Sequence, residues 1–276
     1  MQEKKINNKK VLIFIVAYNA EKHIEGVIRR IPEHILRSDN YEILIIDDSS
    51  EDRTFEKSLR IKGAYKDVKL TVISNPINLG YGGNQKVGYK YAIEKGFDIV
   101  VLLHGDGQYA PELLGTLLTP IKEGQADIVF GSRMINKREA LKGGMPLYKW
   151  VGNQILTWIL NLLLGVRLAE FHTGYRLYGV DSLSAIPFGN NSNYYDFDTE
   201  IIIQCIDTNQ RIVERPIPTF YGDEISYVNG FRYAYLILKI AIVSRFAKKG
   251  MLTNSKFNYA QENLDKSLNN ISIISS

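Results

Sequence analysis

Asp106 and Gln108 stand two residues apart in His104-Gly105-Asp106-Gly107-Gln108, directly after a run of five apolar residues, 99–103. Five residues are too few for a helix and suit a strand buried on both faces. The two glycines let the backbone turn sharply and approach a ligand closely. Asp106 is thereby placed at the carboxyl end of a buried strand, where open α/β sheets bind their ligands. The same residue types also make an ordinary strand-to-helix turn, with Asp106 capping the helix after Pro111. These residues alone leave both readings open.

Three further clusters follow apolar runs in the same way. Ala17-Tyr18-Asn19-Ala20-Glu21 closes the first run, and Asp47-Asp48-Ser49-Ser50-Glu51-Asp52 the second. Asn78-Leu79-Gly80-Tyr81-Gly82-Gly83-Asn84 follows the third. Carboxylates at a ligand edge accept hydrogen bonds from ribose or base, and glycine-rich backbone at a helix start receives phosphate. Each cluster is ordinary alone, since Asp48-Ser49-Ser50 makes a helix cap and Gly80–Gly83 a turn. Their joint placement on one sheet edge points to a nucleotide.

The elements that must hold these clusters follow from hydrophobic period and chain breakers. Strands are expected at 11–17, 41–47, 68–74, 99–103 and 127–130. Helices are expected at 20–31, 52–62, 82–95 and 111–122, ended by Pro32, Gly63, Gly96 and Gly124. Such alternation with short links implies α/β architecture, a mostly parallel sheet with helices on both faces. The second half is less regular: 134–147 reads as loop, and strands at 173–180 and 211–216 flank a helix at 196–207.

Two long apolar helices are also expected. In 150–168, Gln154, Thr157, Asn161 and Gly165 make a narrow polar or small stripe on an otherwise apolar cylinder. Such a helix is either buried or lies at a membrane interface, and burial is the commoner case. The helix at 231–249 carries Arg232, Lys239, Arg245, Lys248 and Lys249 among four aromatics. That composition suits an interfacial helix or a core helix with a basic edge. From Gly250 the chain turns polar and rich in Asn and Ser, and a mobile tail is expected.

With 276 residues, 45% of them hydrophobic, the chain can bury one large core with an appendage. Its net charge of +4 is too weak and dispersed for nucleic acid, but suits an anionic ligand or an acidic membrane surface. A single cysteine, Cys205, excludes a disulfide framework and fits a reducing compartment. Lys4, Lys5, Lys9 and Lys10 before the first apolar run imitate a signal peptide, but seven apolar residues fit a first strand better. No apolar run reaches the roughly 20 residues of a membrane-spanning helix.

Ala17-Tyr18-Asn19, Asp47-Asp48-Ser49-Ser50-x-Asp52, Asn78-x-Gly80-x-Gly82, Asp106-x-Gln108 and Gly131-Ser132-Arg133 resemble, in that order, the motif series of family 2 glycosyltransferases with the GT-A fold. Within that family the series is most similar to the dolichol- or polyprenol-phosphate mannosyltransferase branch. Thr173-Gly174-Tyr175-Arg176, Phe197-Asp198-x-Glu200 and Val213-Glu214-Arg215-Pro216-Ile217 extend the resemblance, which runs from Val11 to Ser226. It implies that Ala17, Tyr18, Glu21 and Asp47 hold the base and ribose of a nucleotide diphosphate sugar. Asn19, Asp48, Ser49, Asn78, Gly80, Gly82, His104 and Gly105 would complete the donor edge. Asp106 and Gln108 would bind Mg²⁺ or Mn²⁺ bridging the pyrophosphate, and Arg133 and Arg176 would contact phosphates of donor or acceptor. A bound dication stabilises the charge gathering on the leaving nucleoside diphosphate. Family 2 enzymes act by direct displacement, inverting the anomeric centre.

Two departures matter. The family usually carries Asp-x-Asp-x-Gln, and here the first Asp is His104. Histidine suits transition metals better than Mg²⁺, so manganese gains weight, although His104 equally fits a place behind the ligands or a ribose contact. Glu170-Phe171-His172-Thr173-Gly174 replaces a common Asp-x-x-Ser-Gly, which makes His172 an acceptor-side candidate.

The acceptor has a chemical handle. A polyprenyl phosphate is already an oxyanion at neutral pH, so positively charged groups suffice to place it. A sugar hydroxyl needs a base within reach, for which Asp196, Asp198 and Glu200 are candidates. Asp198 and Glu200 fit equally a structural network with Arg176 or Arg215. The catalytic set expected is Asp106, Arg133, Arg176 and Asp198.

The leading expectation is an inverting, metal-dependent transfer of a hexose from a GDP- or UDP-sugar to a polyprenyl phosphate. The enzyme would be cytoplasmic and peripheral at the inner membrane face, with a separate membrane protein or a second copy as further partners. The alternatives are transfer to a glycan hydroxyl on the same fold, a nucleotidyltransferase, and a non-catalytic nucleotide-sugar binder. The expected organisation is an N-terminal extension at 1–10 and a catalytic domain at 11–228. A packing or membrane-interface helix at 229–249 and the tail at 250–276 follow.

Overall fold

The structure is a computed structural model that describes residues 9–220 and 229–272. Most of the expected extension, the end of the expected catalytic domain with Ser226, and the last four residues of the expected tail lie outside the described residues.

The expected strands form one seven-stranded sheet in the order β3-β2-β1-β4-β6-β5-β7. β1 (Val11–Ala17), β2 (Tyr41–Asp47), β3 (Leu70–Ser74) and β4 (Ile99–His104) pair in parallel. β6 (Arg176–Gly179) runs antiparallel between β4 and β5 (Ile128–Ser132), and β7 (Ile212–Pro216) pairs in parallel with β5. The register sets Ala17 opposite Asp47, Asp47 opposite Ser74 and Val16 opposite His104. Four parallel strands therefore finish level, and the four clusters meet on one edge because of it.

Besides the single turn Glu33–Leu36, the helices up to β6 are α1 (Ile24–Arg29), α2 (Thr54–Ala64), α3 (Tyr81–Glu94), α4 (Leu114–Lys122), α5 (Lys137–Lys142) and α6 (Leu147–Leu164). After β6 come α7 (Val180–Ser184) and α8 (Phe197–Asp207), and after β7 come α9 (Gly230–Lys248) and α10 (Gln261–Asn269). Alternate residues of the strands feed two cores. Ile13, Ile15 and Val101 pack against α1, α2 and α4, while Leu12, Phe14 and Leu102 pack against α3, α6, α8 and α9. Helix α3 lies close on the sheet because Gly88 faces Phe14, where a Cβ would come within 2.2 Å of the ring.

Three regions differ from expectation. The loop expected at 134–147 contains α5, whose Ala140 is buried with Met134 and Met145. The tail expected to be mobile is docked: Leu264, Ser267 and Ile271 are buried, and α10 packs on residues 188–190. Leu264, Leu268 and Ile271 recur at helical spacing inside a polar composition, and that short stripe supplies the docking face. Helix α6 buries a mixed face, with Leu160 and Leu164 in the core beside polar residues. Thr157 and Asn153 are buried, and Asn161 closes the helix end by pairing with both backbone groups of Leu168. The apolar residues Leu147, Tyr148, Val151, Ile155, Trp158 and Leu162 face outward. Among the described residues no helix is long and apolar enough to cross a membrane.

Candidate active site

The first two strand ends form one hydrogen-bonded ledge. The Asn19 amide donates to Ser50 Oγ at 2.9 Å, and Asn19 Oδ1 accepts from the Glu51 amide at 2.9 Å. Asn19 and Ser49 have φ of 50° and 58°, a left-handed backbone that few residues other than glycine adopt and that collects at functional sites. Tyr18 is exposed above Ala17, and Glu21 accepts from the Arg53 amide at 3.3 Å. Asp47 is buried and takes the hydroxyls of Ser50 at 2.5 Å and Ser74 at 3.2 Å.

Asp48 and the glycine cluster behave differently from a donor edge. Asp48 is buried and accepts from Asn75 at 2.7 Å, from the Leu79 amide at 2.9 Å and from the Gly80 amide at 3.0 Å. Burial raises its pKa, with these donors pulling the other way. The Gly80 amide is shared with Asn78 Oδ1 at 2.9 Å, and the Gly82 amide donates to the Asn193 carbonyl at 2.8 Å. Asp48 and Gly82, both expected on the donor edge, thus have these polar groups bonded within the fold. Gly82 is small for another reason: a Cβ there would lie 2.6 Å from the Ser192 carbonyl oxygen.

Asp106 is the open carboxylate of the edge. Its Oδ1 accepts from the Gln108 amide at 3.0 Å, and its Oδ2 accepts no hydrogen bond among the described residues. Gly107, at φ 78°, makes the turn between them, and Gly105 sits within 3.3 Å of Val16 and Ala20 as measured from a built Cβ. No group of three or more His, Cys, Asp or Glu side chains able to hold a metal occurs among the described residues. A single carboxylate with a neighbouring amide fits a dication that takes its remaining ligands from substrate phosphates and water, as Mg²⁺ commonly does.

The Nε2 edge of His104 faces the interior, while the residue as a whole is partly exposed. Its Nε2 lies 3.2 Å from the Tyr81 hydroxyl, which donates to Asp198 Oδ2 at 2.9 Å. Since the one Tyr81 proton goes to the carboxylate, Nε2 must carry the imidazole proton, leaving the lone pair on Nδ1. Burial lowers the His104 pKa against the pull of Asp106, so the ring is neutral at pH 7. Gly174 makes the space for this ring, as a Cβ there would lie 2.6 Å from Nε2.

Arg176 and Asp198 prove to be interior residues. Arg176 is fully buried, and its guanidinium donates to the carbonyls of Thr173 (2.7 Å), Asp198 (2.8 Å) and Phe171 (3.0 Å). Its Nη2 also stands 3.4 Å from Asp198 Oδ2. The expected phosphate contact by Arg176 is corrected: no donor faces the ligand edge. Asp198 is likewise occupied, since Oδ1 accepts from Gln85 at 3.1 Å and Oδ2 from Tyr81. It is a hub joining Tyr81, Gln85 and Arg176. Glu200 accepts from the Ser192 amide at 2.6 Å and pairs with Lys256, and Asp196 accepts from Ser192 Oγ at 2.8 Å.

Arg133 lies closer to the surface. Glu170, fully buried, accepts from Arg133 Nε at 3.1 Å, from Nη2 at 2.5 Å, from the Arg133 amide at 2.8 Å and from Asn153 at 3.1 Å. The Arg133 side chain keeps 11% of its surface exposed, 5.9 Å over the Tyr109 ring. His172 packs beside it with Nδ1 2.9 Å from the Tyr233 hydroxyl and a buried Nε2 that has no hydrogen-bond partner among the described residues. Burial pushes its pKa down from 6.5 to about 4, so the folded protein holds it neutral.

A histidine depressed in the folded state contributes stability above its unfolded pKa and loses it as pH falls. The thermal midpoint is therefore expected to decline between pH 6.5 and about 4. His172→Gln should flatten that decline when thermal midpoints are measured across a pH series.

Several participants escaped the sequence reading. Tyr81 sits between the motif glycines, and Gln85 lies one turn further along the same helix face, a spacing that would have paired them. Glu170 appears in the altered motif but gave no sign that it would anchor Arg133.

With this geometry in place, comparison with known proteins is informative. The pattern of "Glycosyl transferase family 2" matches residues 12–182. A UDP-N-acetylglucosamine–dolichyl-phosphate N-acetylglucosaminyltransferase of Methanococcus voltae is 30% identical, over 84% of this chain and 96% of that protein. An undecaprenyl-phosphate mannosyltransferase of Micrococcus luteus is 29% identical, over 78% of this chain and 85% of that one. Among solved structures, glucosyl-3-phosphoglycerate synthase from Mycobacterium tuberculosis, in complex with Mn²⁺, UDP and phosphoglyceric acid, superposes with a TM-score of 0.62 at 17% identity. The match covers 92% of this chain and 83% of that one.

Proposed function

The chain belongs to glycosyl transferase family 2, and from that premise we propose an inverting, metal-dependent transfer of a hexose from a GDP- or UDP-sugar to a polyprenyl phosphate. The observation that carries the acceptor is the state of the acidic side chains. Asp196, Asp198 and Glu200 are all buried and committed to internal partners, so none stands ready to deprotonate a sugar hydroxyl. An acceptor that is already ionised needs no such group. Relatives named for dolichyl and undecaprenyl phosphate support the same choice.

In this reading Tyr18, Asn19, Glu21, Asp47 and Ser49 bind the nucleoside, and Asp106 with Gln108 holds the dication at the pyrophosphate. When bound, the dication offsets the charge that develops on the leaving nucleoside diphosphate. Arg133, fixed by Glu170, offers its exposed rim to a phosphate. His104 keeps a lone pair on Nδ1, which suits Mn²⁺ over Mg²⁺, and the Mn²⁺ bound in a structural neighbour supports a divalent ion.

The direct test pairs a polyprenyl phosphate with the polyprenol of the same chain length. Only the phosphate is expected to accept sugar, and glycosylation of the free alcohol or of a glycan hydroxyl at equal rate would overturn the reading.

A lipid acceptor requires a lipid surface, and the outward face of α6 supplies a match for one. Trp158 and Leu162 are 66% and 71% exposed, and Phe231 on the adjoining α9 is 93% exposed. Lys137 and Arg138 beside the start of α6, and Arg232 and Lys239 on α9, are exposed as well, a composition that fits an anionic headgroup layer. We place the enzyme on the cytoplasmic membrane face through this surface. The full chain is expected to float with vesicles containing phosphatidylglycerol, and Trp158→Asp with Leu162→Asp to remain at the bottom. Equal flotation, or concentration-dependent self-association through these residues, would assign the face to another partner.

A further inference from the structure

The C-terminal segment is built into the site by a chain of specific contacts. Lys256 pairs with buried Glu200, and the Lys256 carbonyl accepts from Gln204 at 2.8 Å. Glu200 in turn holds the Ser192 amide, while Gln204 and Asn191 exchange two amide hydrogen bonds at 2.7 and 2.9 Å. Asn190 reaches the Ser255 carbonyl and Asn263 Oδ1, both at 3.3 Å. Gly189 passes so near α10 that a Cβ would lie 2.0 Å from the Ser267 carbonyl oxygen. From the opposite side Lys86, on α3, donates to the Asn191 carbonyl and to Asn193 Oδ1.

Residues 190–196, gripped in this way, bear on the ligand edge at two points. The Asn193 carbonyl receives the Gly82 amide, which fixes the glycine turn at the start of α3. Tyr195 stacks on Tyr81 at 5.2 Å with the rings 25° apart, and Tyr81 carries the hydrogen bond to His104 two residues before Asp106.

We propose that residues 251–271 form a clasp that positions 190–196 and, through the Tyr195–Tyr81 stack, the donor end of the active site, with Lys256 as its central positioning residue. The proposal rests on the reading of this edge as a nucleotide-sugar site. Deleting the Lys256 charge leaves Glu200 buried without its cation, and the loop loses the carboxylate geometry that holds the Ser192 amide. Substrate then has to order a loop that the wild-type protein presents already ordered, which weakens binding more than turnover at saturation.

The test uses the full chain with Lys256→Met, Lys256→Arg and, independently, Leu264→Ser, which loosens α10 without touching Glu200. Amide exchange of the peptide covering 190–196 is expected to quicken by about tenfold in Lys256→Met and Leu264→Ser. In both, binding of UDP or GDP with Mn²⁺ should weaken by about tenfold by calorimetry, and donor KM should rise accordingly while kcat falls by less than about threefold. Lys256→Arg should restore both readouts. Unchanged exchange at 190–196, or quicker exchange with unaltered nucleotide affinity, would overturn the clasp. A wild-type protein that binds neither nucleotide would instead overturn the donor reading on which the clasp acts, a pattern visible before any variant is made.

Discussion

Asp106→Asn is expected to lower sugar transfer by about 10³-fold, equivalent to about 4 kcal/mol of transition-state stabilisation, with an unchanged thermal midpoint. The substitution is close to isosteric and keeps an oxygen for the Gln108 amide, so the turn survives. What disappears is the charge that Oδ2 directs at the ligand edge. Among the described residues no second carboxylate stands ready to replace it: His104 occupies the neighbouring motif position, and Asp48 is held by Asn75 and by the Leu79 and Gly80 amides. Chelation of divalent ions should match the effect in the wild-type protein, and added Mn²⁺ should reverse chelation but not the substitution. Full activity of Asp106→Asn would place the metal, or the reaction, elsewhere.

Arg176→Met is expected to destabilise the fold by about 3–5 kcal/mol, the usual cost of breaking a buried ion pair from one side. Burial of the guanidinium is offset by Asp198 and by the carbonyls of Phe171, Thr173 and Asp198, and its pKa is raised above that of free arginine. Removing it strands all of these acceptors at once. Urea unfolding of the single variants and of Arg176→Met with Asp198→Asn should show the double variant less damaged than the sum, since the two groups are coupled. A stable Arg176→Met protein with only a raised KM for the phosphate substrate would return Arg176 to the ligand edge.

The sheet was legible because its strands are short apolar runs cut off by glycine or acidic clusters, and run length with these breakers separates them from helices. The shared edge was legible for the same reason: Ala17, Asp47 and Asp106 each close such a run. What could not be read was the direction of individual side chains. Asp48, Arg176 and Asp198 have the residue types of a phosphate and sugar site, yet Asp48 and Arg176 turn inward to backbone groups, and Asp198 to the side chains of Tyr81 and Gln85. Local sequence holds no record of partners such as Gln85 and Tyr81, which reach Asp198 from 113 and 117 residues away. The C-terminal segment failed differently. Its polar composition masks Leu264, Leu268 and Ile271, and only the contact with 188–190 reveals that these apolar side chains help to dock it. In helix α6 Thr157 of the polar stripe is buried while much of the apolar cylinder faces outward, a placement that composition alone does not set.

Product analysis by mass spectrometry tests the central claim most directly. The protein is incubated with Mn²⁺, a polyprenyl phosphate and each of several GDP- and UDP-sugars in turn. The account predicts a polyprenyl phosphohexose and an equivalent of nucleoside diphosphate from at least one donor, both absent with Asp106→Asn. No lipid-linked sugar from any donor, or release of pyrophosphate in place of nucleoside diphosphate, would contradict it.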